Sequence, residues 1–297
     1  MSSKGAWHTT VVNRHHGVPY DAYIGHGTPW GNPYRIGPDG SRDEVVDKYR
    51  SWFRDRVKDP AFRAETIALR GKRLCCSCAP ARCHGDIIAE WLHHPASLLT
   101  LLEDTASSYA PRTKANARAA DLTVAFALDF TTGGEVLTHK VAGQRYVAIH
   151  LGAPIDASAA TLAAALRAHG AQSLNVAGNG IYRLAQHGWD QSTVDQWVHA
   201  VLDATIAMQP FQSVRSGGQT GADLAGGIAA LALGLPTTLL FPKGFLQRDA
   251  DGRDATHRFG EIWKQIEEGL AALKHTTITR HGTKTSTPAQ QALFPTE

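Results

Sequence analysis

Short apolar runs punctuate the second half of the chain, and longer segments of helical spacing separate them. Residues 122–128, 146–151, 173–177, 211–215 and 237–241 are such runs. Each has the length of a strand, and residues 122–128 are apolar almost throughout, as in strands buried on both faces. Between the runs, residues 157–169 repeat apolar positions at helical intervals and stop at Gly170, a favoured helix terminator. Residues 192–208 form a second helical segment, and 224–235, rich in Ala, Gly and Leu, a third. This alternation predicts an α/β unit: a Rossmann-like parallel sheet with helices on both faces.

The first half is patterned differently. Residues 9–13 and 72–76 read as short strands, and 43–57 as a helix with Val46, Tyr49, Trp52 and Phe53 on one side. A second helix is expected over 86–92, closed by His93, His94 and Pro95. A loop rich in Gly, Pro and aromatic residues spans 25–34. These signals predict a smaller α/β domain over 1–104, the Rossmann-like domain over 105–275, and a polar, flexible tail over 276–297.

Composition narrows the class. The chain has 297 residues, 43% apolar and 19% charged, which suits two globular domains. A net charge of +3 permits a polyanionic partner without demanding one. No secretory apolar segment follows Met1, and the longest apolar stretch is interrupted by Gly234 and Pro236, so no membrane partner is expected. All four cysteines, Cys75, Cys76, Cys78 and Cys83, fall within nine positions. That spacing argues for a reduced, cytoplasmic protein rather than a disulfide scaffold.

Three glycine turns follow predicted strands. They are Thr132-Gly133-Gly134-Glu135, Gly178-Asn179-Gly180 and Ser216-Gly217-Gly218-Gln219-Thr220-Gly221, the last leading through Asp223 into a helix. Glycine lets backbone come close to a ligand, and free amides at a helix start attract an anion. Arg112, before the first strand, is placed to pair with a phosphate. Asp129, Glu135 and Asp223 are the carboxylates that would handle a sugar or activate water. The competing readings are structural. Arg112 would be an ion-pair partner, Asp223 a complement to its helix N-terminus, and Asn179 a residue tolerant of a left-handed turn.

Taken together, SGGQTGAD, RTKAN, TTGGE and AGNG resemble the SLOG superfamily over residues 105–275, in its YpsA-like and molybdenum-carrier-like branch. Here Leu174–Gly178 precedes the SGGQTG loop, so the order is permuted relative to the branch that begins with that loop. The resemblance implies a cleft for a nucleotide or nucleotide-derived ligand, and a phosphorylated pterin in the carrier branch. Within the superfamily, the Lonely-guy phosphoribohydrolases split the N-glycosidic bond of nucleoside monophosphates. They use an arginine before a strand and a glutamate in PGGxGTxEE. Arg112 matches that arginine, and Gly133 and Gly134 match the glycine pair. His139 stands at the first glutamate, so Glu135, Asp129 or Asp223 would have to supply the carboxylate. The expected function is hydrolysis or transfer at an N-glycosidic bond with no required cofactor. The rival is a sensor or carrier of such a ligand without turnover.

The first unit holds its own chemistry. Cys76, Cys78, Cys83 and His84 offer a zinc reading. Cys83, beside His84 and Arg82 at a helix start, offers a second reading as a reactive thiolate of lowered pKa. Buried, reduced cysteines are the third. Trp30, Asn32 and Tyr34 would either line a pocket for a base or pack their loop onto its own core. The motifs G-x-WGNP and C-x-C-x-P-x-x-CHGD make residues 9–94 resemble an uncharacterised domain common in phage and bacterial genomes, which implies no activity. Finally, Gln290, Leu293 and Phe294 in QQALF resemble the Q-x-x-L-F peptide that docks on the bacterial sliding clamp. That resemblance implies recruitment to DNA; a tail folded back on the body is the alternative.

Overall fold

A computed structural model describes residues 8–280, without the side chains of Pro60 and residues 275–280. The clamp-like peptide at Gln290, Leu293 and Phe294 lies outside the described residues. The chain divides into two compact units, residues 1–98 and 99–297.

The first unit is built on strands β1 (Thr10–Asn13), β2 (Ala22–Tyr23) and β3 (Arg73–Cys76), parallel in the order β1-β3-β2. Helix α1 (Arg42–Arg56) starts at a capping box. Ser41 Oγ accepts from the Glu44 amide, and the Glu44 carboxylate accepts from the Ser41 amide. Helices α2 (Pro60–Ile67), α3 (His84–His93) and the short α4 (Pro95–Leu98) complete it. Tyr49 and Phe53 of α1 pack with Ile24, Leu74, Ile88 and Leu92 in a single apolar core.

Among the described residues, the second unit contains twelve α-helices and β-strands up to its last sheet strand, and then three further elements. In chain order these are β4 (Leu99–Glu103), α5 (Tyr109–Arg118), β5 (Leu122–Ala127), α6 (Gly133–Ala142), β6 (Tyr146–His150), α7 (Ile155–His169), β7 (Ser173–Gly178), α8 (Ile181–Ala185), α9 (Gln191–Met208), β8 (Ser213–Ser216), α10 (Ala222–Ala232), β9 (Thr237–Phe241), β10 (Gln247–Arg248), β11 (Asp254–Ala255) and α11 (Phe259–Arg280). Six strands form a sheet in the order β4-β9-β8-β7-β5-β6, and every neighbouring pair is parallel. Strand β4 was not expected from the sequence, where its residues fell at the end of the first unit. It pairs along its whole length with β9, which makes it the edge of the second sheet. Helix α11 was also unexpected. Ile262, Ile266, Leu270 and Leu273 form its buried stripe. It runs to Arg280, into the segment expected to start the tail.

Side chains alternate across the sheet. Leu122, Val124 and Phe126 of β5 and Leu174 and Val176 of β7 join one apolar core with α7, α9 and α10. Thr123 and Asn175 point to the other face, where Asn175 Nδ2 donates to Thr123 Oγ1. Helices α5 and α6 pack together on that face. Strand order reverses between β5 and β7: β6 is added on one side of β5, and β7, β8 and β9 on the other. In open parallel sheets the crevice beyond the carboxyl ends at such a reversal is where ligands sit. No helix among the described residues is long and apolar enough to cross a membrane.

Asp195 of α9 is buried behind this edge, and its Oδ1 accepts from Gln191 Nε2 at 2.8 Å. Gln191 in turn brackets Gly221. Its Oε1 accepts from the Gly221 amide at 2.6 Å, and its Nε2 donates to the Gly221 carbonyl at 3.1 Å. Burial pushes the Asp195 carboxyl up to about 7. The folded state therefore keeps this proton longer than the unfolded state. Stability contributed by this group falls as pH rises from about 4 to 7, then levels off. Asp195→Asn keeps an acceptor for Gln191 and removes the charge. Denaturant melts should show the variant gaining on the parent over that range, by on the order of a few kcal/mol at pH 8. A difference independent of pH would refute the assignment.

Candidate functional site

The loops after β5, β7 and β8 open onto one cavity of about 370 Å³, a size suited to a small ligand. Of the residues expected from sequence, Arg112, Thr132, Gly134, Glu135, Gly178, Gly180, Gly217, Gln219 and Asp223 line it. Among the described residues, the amides of Gly133 and Gly134 at the start of α6 and of Gly217 and Gln219 before α10 meet no acceptor. These are the groups that can receive an anion.

Other expected residues hold the turns in shape. The Gly221 amide is engaged by Gln191, so it is not available to a ligand. Asn179 Oδ1 accepts from the amides of Leu128 and Asp129, each at 2.9 Å, and its Nδ2 donates to the Asp129 carbonyl. It therefore locks two glycine turns together, a firmer role than tolerance of a left-handed turn. A bridge between Gly180 and Gly221 reinforces that contact. Ser216 Oγ is hydrogen-bonded to the carbonyls of Val176 and Asp223. Gly218 has φ +64°, and a Cβ there would run into the Phe241 ring. Thr220 Oγ1 donates to the Arg248 carbonyl.

Arg112 and Asp223 form a buried ion pair, Nη1 to Oδ2 at 2.6 Å, with both side chains 8% exposed. Arg112 was expected to meet a phosphate; in this structure its Nη1 is committed to Asp223. Burial raises the Asp223 carboxyl, and the guanidinium beside it pulls the other way. Asn116, one helical turn after Arg112, donates to the Ser216 carbonyl at 3.0 Å. Two buried atoms of these cavity-lining residues, Arg112 Nε and Asn116 Oδ1, have no hydrogen-bond partner among the described residues. A bound polar ligand is one way to satisfy such groups.

Glu135 is the carboxylate that α6 delivers to the cavity. It is 3% exposed, and its Oε2 accepts from Tyr146 at 3.2 Å. Burial, with the charge of Asp223, pushes it up to about 7, against the Tyr146 hydroxyl. Asp129 serves its own loop instead, accepting from the Thr131 amide and hydroxyl, and does not line the cavity. His139 is exposed and stacks on Tyr146 at 4.4 Å. The structure also brings in residues that sequence reasoning missed. Arg248 pairs bidentately with Asp254, and Tyr109 donates to the same carboxylate at 2.8 Å. Arg183, in the short helix α8 that starts after Gly180, lines the cavity and has no ion-pair partner among the described residues. Its position three residues after a glycine turn was the available signal.

In the first unit, the Sγ atoms of Cys76, Cys78 and Cys83 lie within 4.8 Å of one another. His84 Nδ1 faces two of them. The lowered thiol expected at Cys83 falls instead on Cys76: the Cys83 thiol beside it, and then His84, lower Cys76, while the contact with Cys76 and then burial raise Cys83. Arg82 does not help Cys83, because it is paired with Asp43 and Asp47. Cys76, Cys78, His84, Asn32 and Tyr34 line a separate cavity of about 220 Å³. Trp30 does not. Its Nε1 donates to Thr66 at 3.0 Å, and the ring packs on the unit's core. Asn32 spans its own loop, donating to the Val45 carbonyl and accepting from the Tyr34 amide.

The fold defines the second unit as a Rossmann-like domain with a cavity at its strand reversal. A family model described as "Circularly permutated YpsA SLOG family" matches residues 82–202, and "Domain of unknown function (DUF4326)" matches residues 10–94. The chain thus joins a DUF4326 region to an overlapping region, residues 82–202, of the circularly permuted YpsA SLOG family. It is also similar to an uncharacterized 12.4 kDa protein in the nrdA-td intergenic region of Enterobacteria phage T4, 42% identical over 81 residues, covering 27% of this chain and 72% of that protein. No solved structure matches the chain.

A Cβ on Gly217 would overlap the Arg112 guanidinium and the Asp223 carboxylate, whereas one on Gly133 meets nothing. Gly217→Ala should therefore break the pair and cost about 3–5 kcal/mol. Gly133→Ala should stay within about 0.5 kcal/mol of the parent. Equal losses in urea melts would contradict this packing.

Proposed function

We propose that the second unit binds a phosphorylated nucleoside and hydrolyses its N-glycosidic bond. The observation that carries this reading is a buried carboxyl held near 7, Glu135, in one cavity with a second carboxylate on an arginine and with unengaged amides. Family membership supports a nucleotide-derived ligand. A raised carboxyl is suited to carrying a proton at neutral pH. In this account Glu135 protonates the departing base as water adds to the sugar C1. The products are the free base and ribose 5-phosphate. Asp223, anchored by Arg112, stabilises the cation-like sugar. The phosphate rests on the amides around Gly134 and Gly217, with Arg183 as its side-chain partner.

Retention without turnover is the second reading. It draws on the Arg112–Asp223 pairing, which leaves that arginine less free than a phosphate clamp requires, and on His139 at the position of the motif glutamate.

Incubation with a panel of nucleoside monophosphates should release free base. The rate should fall above about pH 7, because the acid must be protonated. Glu135→Gln should lower turnover by about 10²–10⁴ while ligand is still bound. Intact nucleotide recovered after long incubation with the parent would overturn hydrolysis and leave the binding reading.

A further inference from the structure

We propose that the first unit holds a zinc ion on Cys76, Cys78, Cys83 and His84. The site is separate from the cavity of the second unit and does not depend on that reading. Three sulfurs lie within 4.8 Å of one another. His84 Nδ1 is 3.7 Å from Cys76 Sγ and 3.8 Å from Cys83 Sγ. Zinc binds thiolate sulfur at about 2.3 Å and imidazole nitrogen at about 2.0–2.1 Å, and a tetrahedral angle then puts the two ligand atoms roughly 3.6 Å apart. The three sulfurs converge, and His84 Nδ1 stands near ligand spacing from Cys76 and Cys83; a small closure of the Cys78 loop toward His84 would complete the set.

The surrounding hydrogen bonds favour a metal over a chance cluster. His84 Nε2 is 2.9 Å from the Ile24 carbonyl, which can only accept. Nε2 must then carry the proton, and Nδ1 presents its lone pair to the sulfurs. A backbone carbonyl fixing the imidazole in this way is the usual outer contact of a metal-bound histidine. The Gly85 amide donates to Cys83 Sγ at 3.3 Å, a contact that suits a thiolate acceptor. The Asp86 carboxylate accepts from the Cys83 amide at 2.8 Å and fixes that backbone. Asn13 Nδ2 donates to the carbonyls of Ser77 and Ala79, tying the intervening loop to β1. The contributing elements are a strand end, this loop and a helix start, so the spacing departs from paired C-x2-C knuckles while the donors still converge.

Donor chemistry selects the ion. Three sulfurs and one imidazole form a soft set that suits zinc and excludes calcium or magnesium. Four protein donors leave no open position, which marks a structural rather than a catalytic centre. Such a centre carries one net negative charge, and Arg42 lines the adjoining cavity. Cys75 is buried in β3 and is not one of the converging sulfurs.

The full chain, purified under reducing conditions without chelator, should contain about one zinc per molecule by elemental analysis. Zinc-stripped protein should take up cobalt(II) and develop thiolate-to-cobalt charge-transfer absorption with tetrahedral d–d bands. Cys76→Ser with His84→Ala should lose at least nine-tenths of the metal, and Cys75→Ser should keep it. If the double variant fails to fold, the cobalt titration of the parent still decides. Folded protein that carries no zinc and gives no charge-transfer band would overturn the site, as would iron in place of zinc or full zinc content in the double variant.

Discussion

The buried pair between Arg112 and Asp223 organises the second unit. It joins α5, which enters just before β5, to the glycine loop that opens α10. Two charges so far from water are tolerable only with each other. Their contact demands a residue without a side chain at Gly217, so the loop sequence follows from the pair. It also fixes α5, which lets Asn116 reach the Ser216 carbonyl. The Asp223 charge then acts on Glu135 across the cavity and adds to the desolvation that keeps its proton. One ion pair thus shapes the loop, the helix and the acidity of the cavity.

Strand order supplies the space in which this happens. Because β5 and β7 are neighbours and their chains leave in opposite directions across the sheet, the following loops diverge at their carboxyl ends. The Gly180–Gly221 bridge and the Asn179 side chain hold those loops in register. Rigid turns with unengaged amides are what a preorganised anion site would require, since no backbone would have to move to meet the ligand.

The strands and the cavity were legible in the sequence for a physical reason. Buried parallel strands are apolar on both faces, and glycine turns after them are short and local. Both features are written in contiguous residues, as in Leu122–Ala127 and Gly217–Gly221. What was not legible depends on contacts distant in sequence. Asp223 lies 111 positions from Arg112, and Tyr109 lies 145 from Asp254. Strand β4 has an ordinary short apolar pattern, and its place in the second sheet is set only by its pairing with β9. Cys76 rather than Cys83 is the lowered thiol because the two sulfurs meet at the α3 start, where their mutual contact and then burial raise Cys83, while Arg82 is turned to α1.

The most direct test of the anion-site account is a backbone amide NMR titration with a nucleoside monophosphate and, separately, with the matching nucleoside. The account predicts large downfield shifts at Gly134, Gly217 and Gln219 with the monophosphate and small ones with the nucleoside. Shifts of equal size with both ligands, or shifts confined to other parts of the chain, would contradict it.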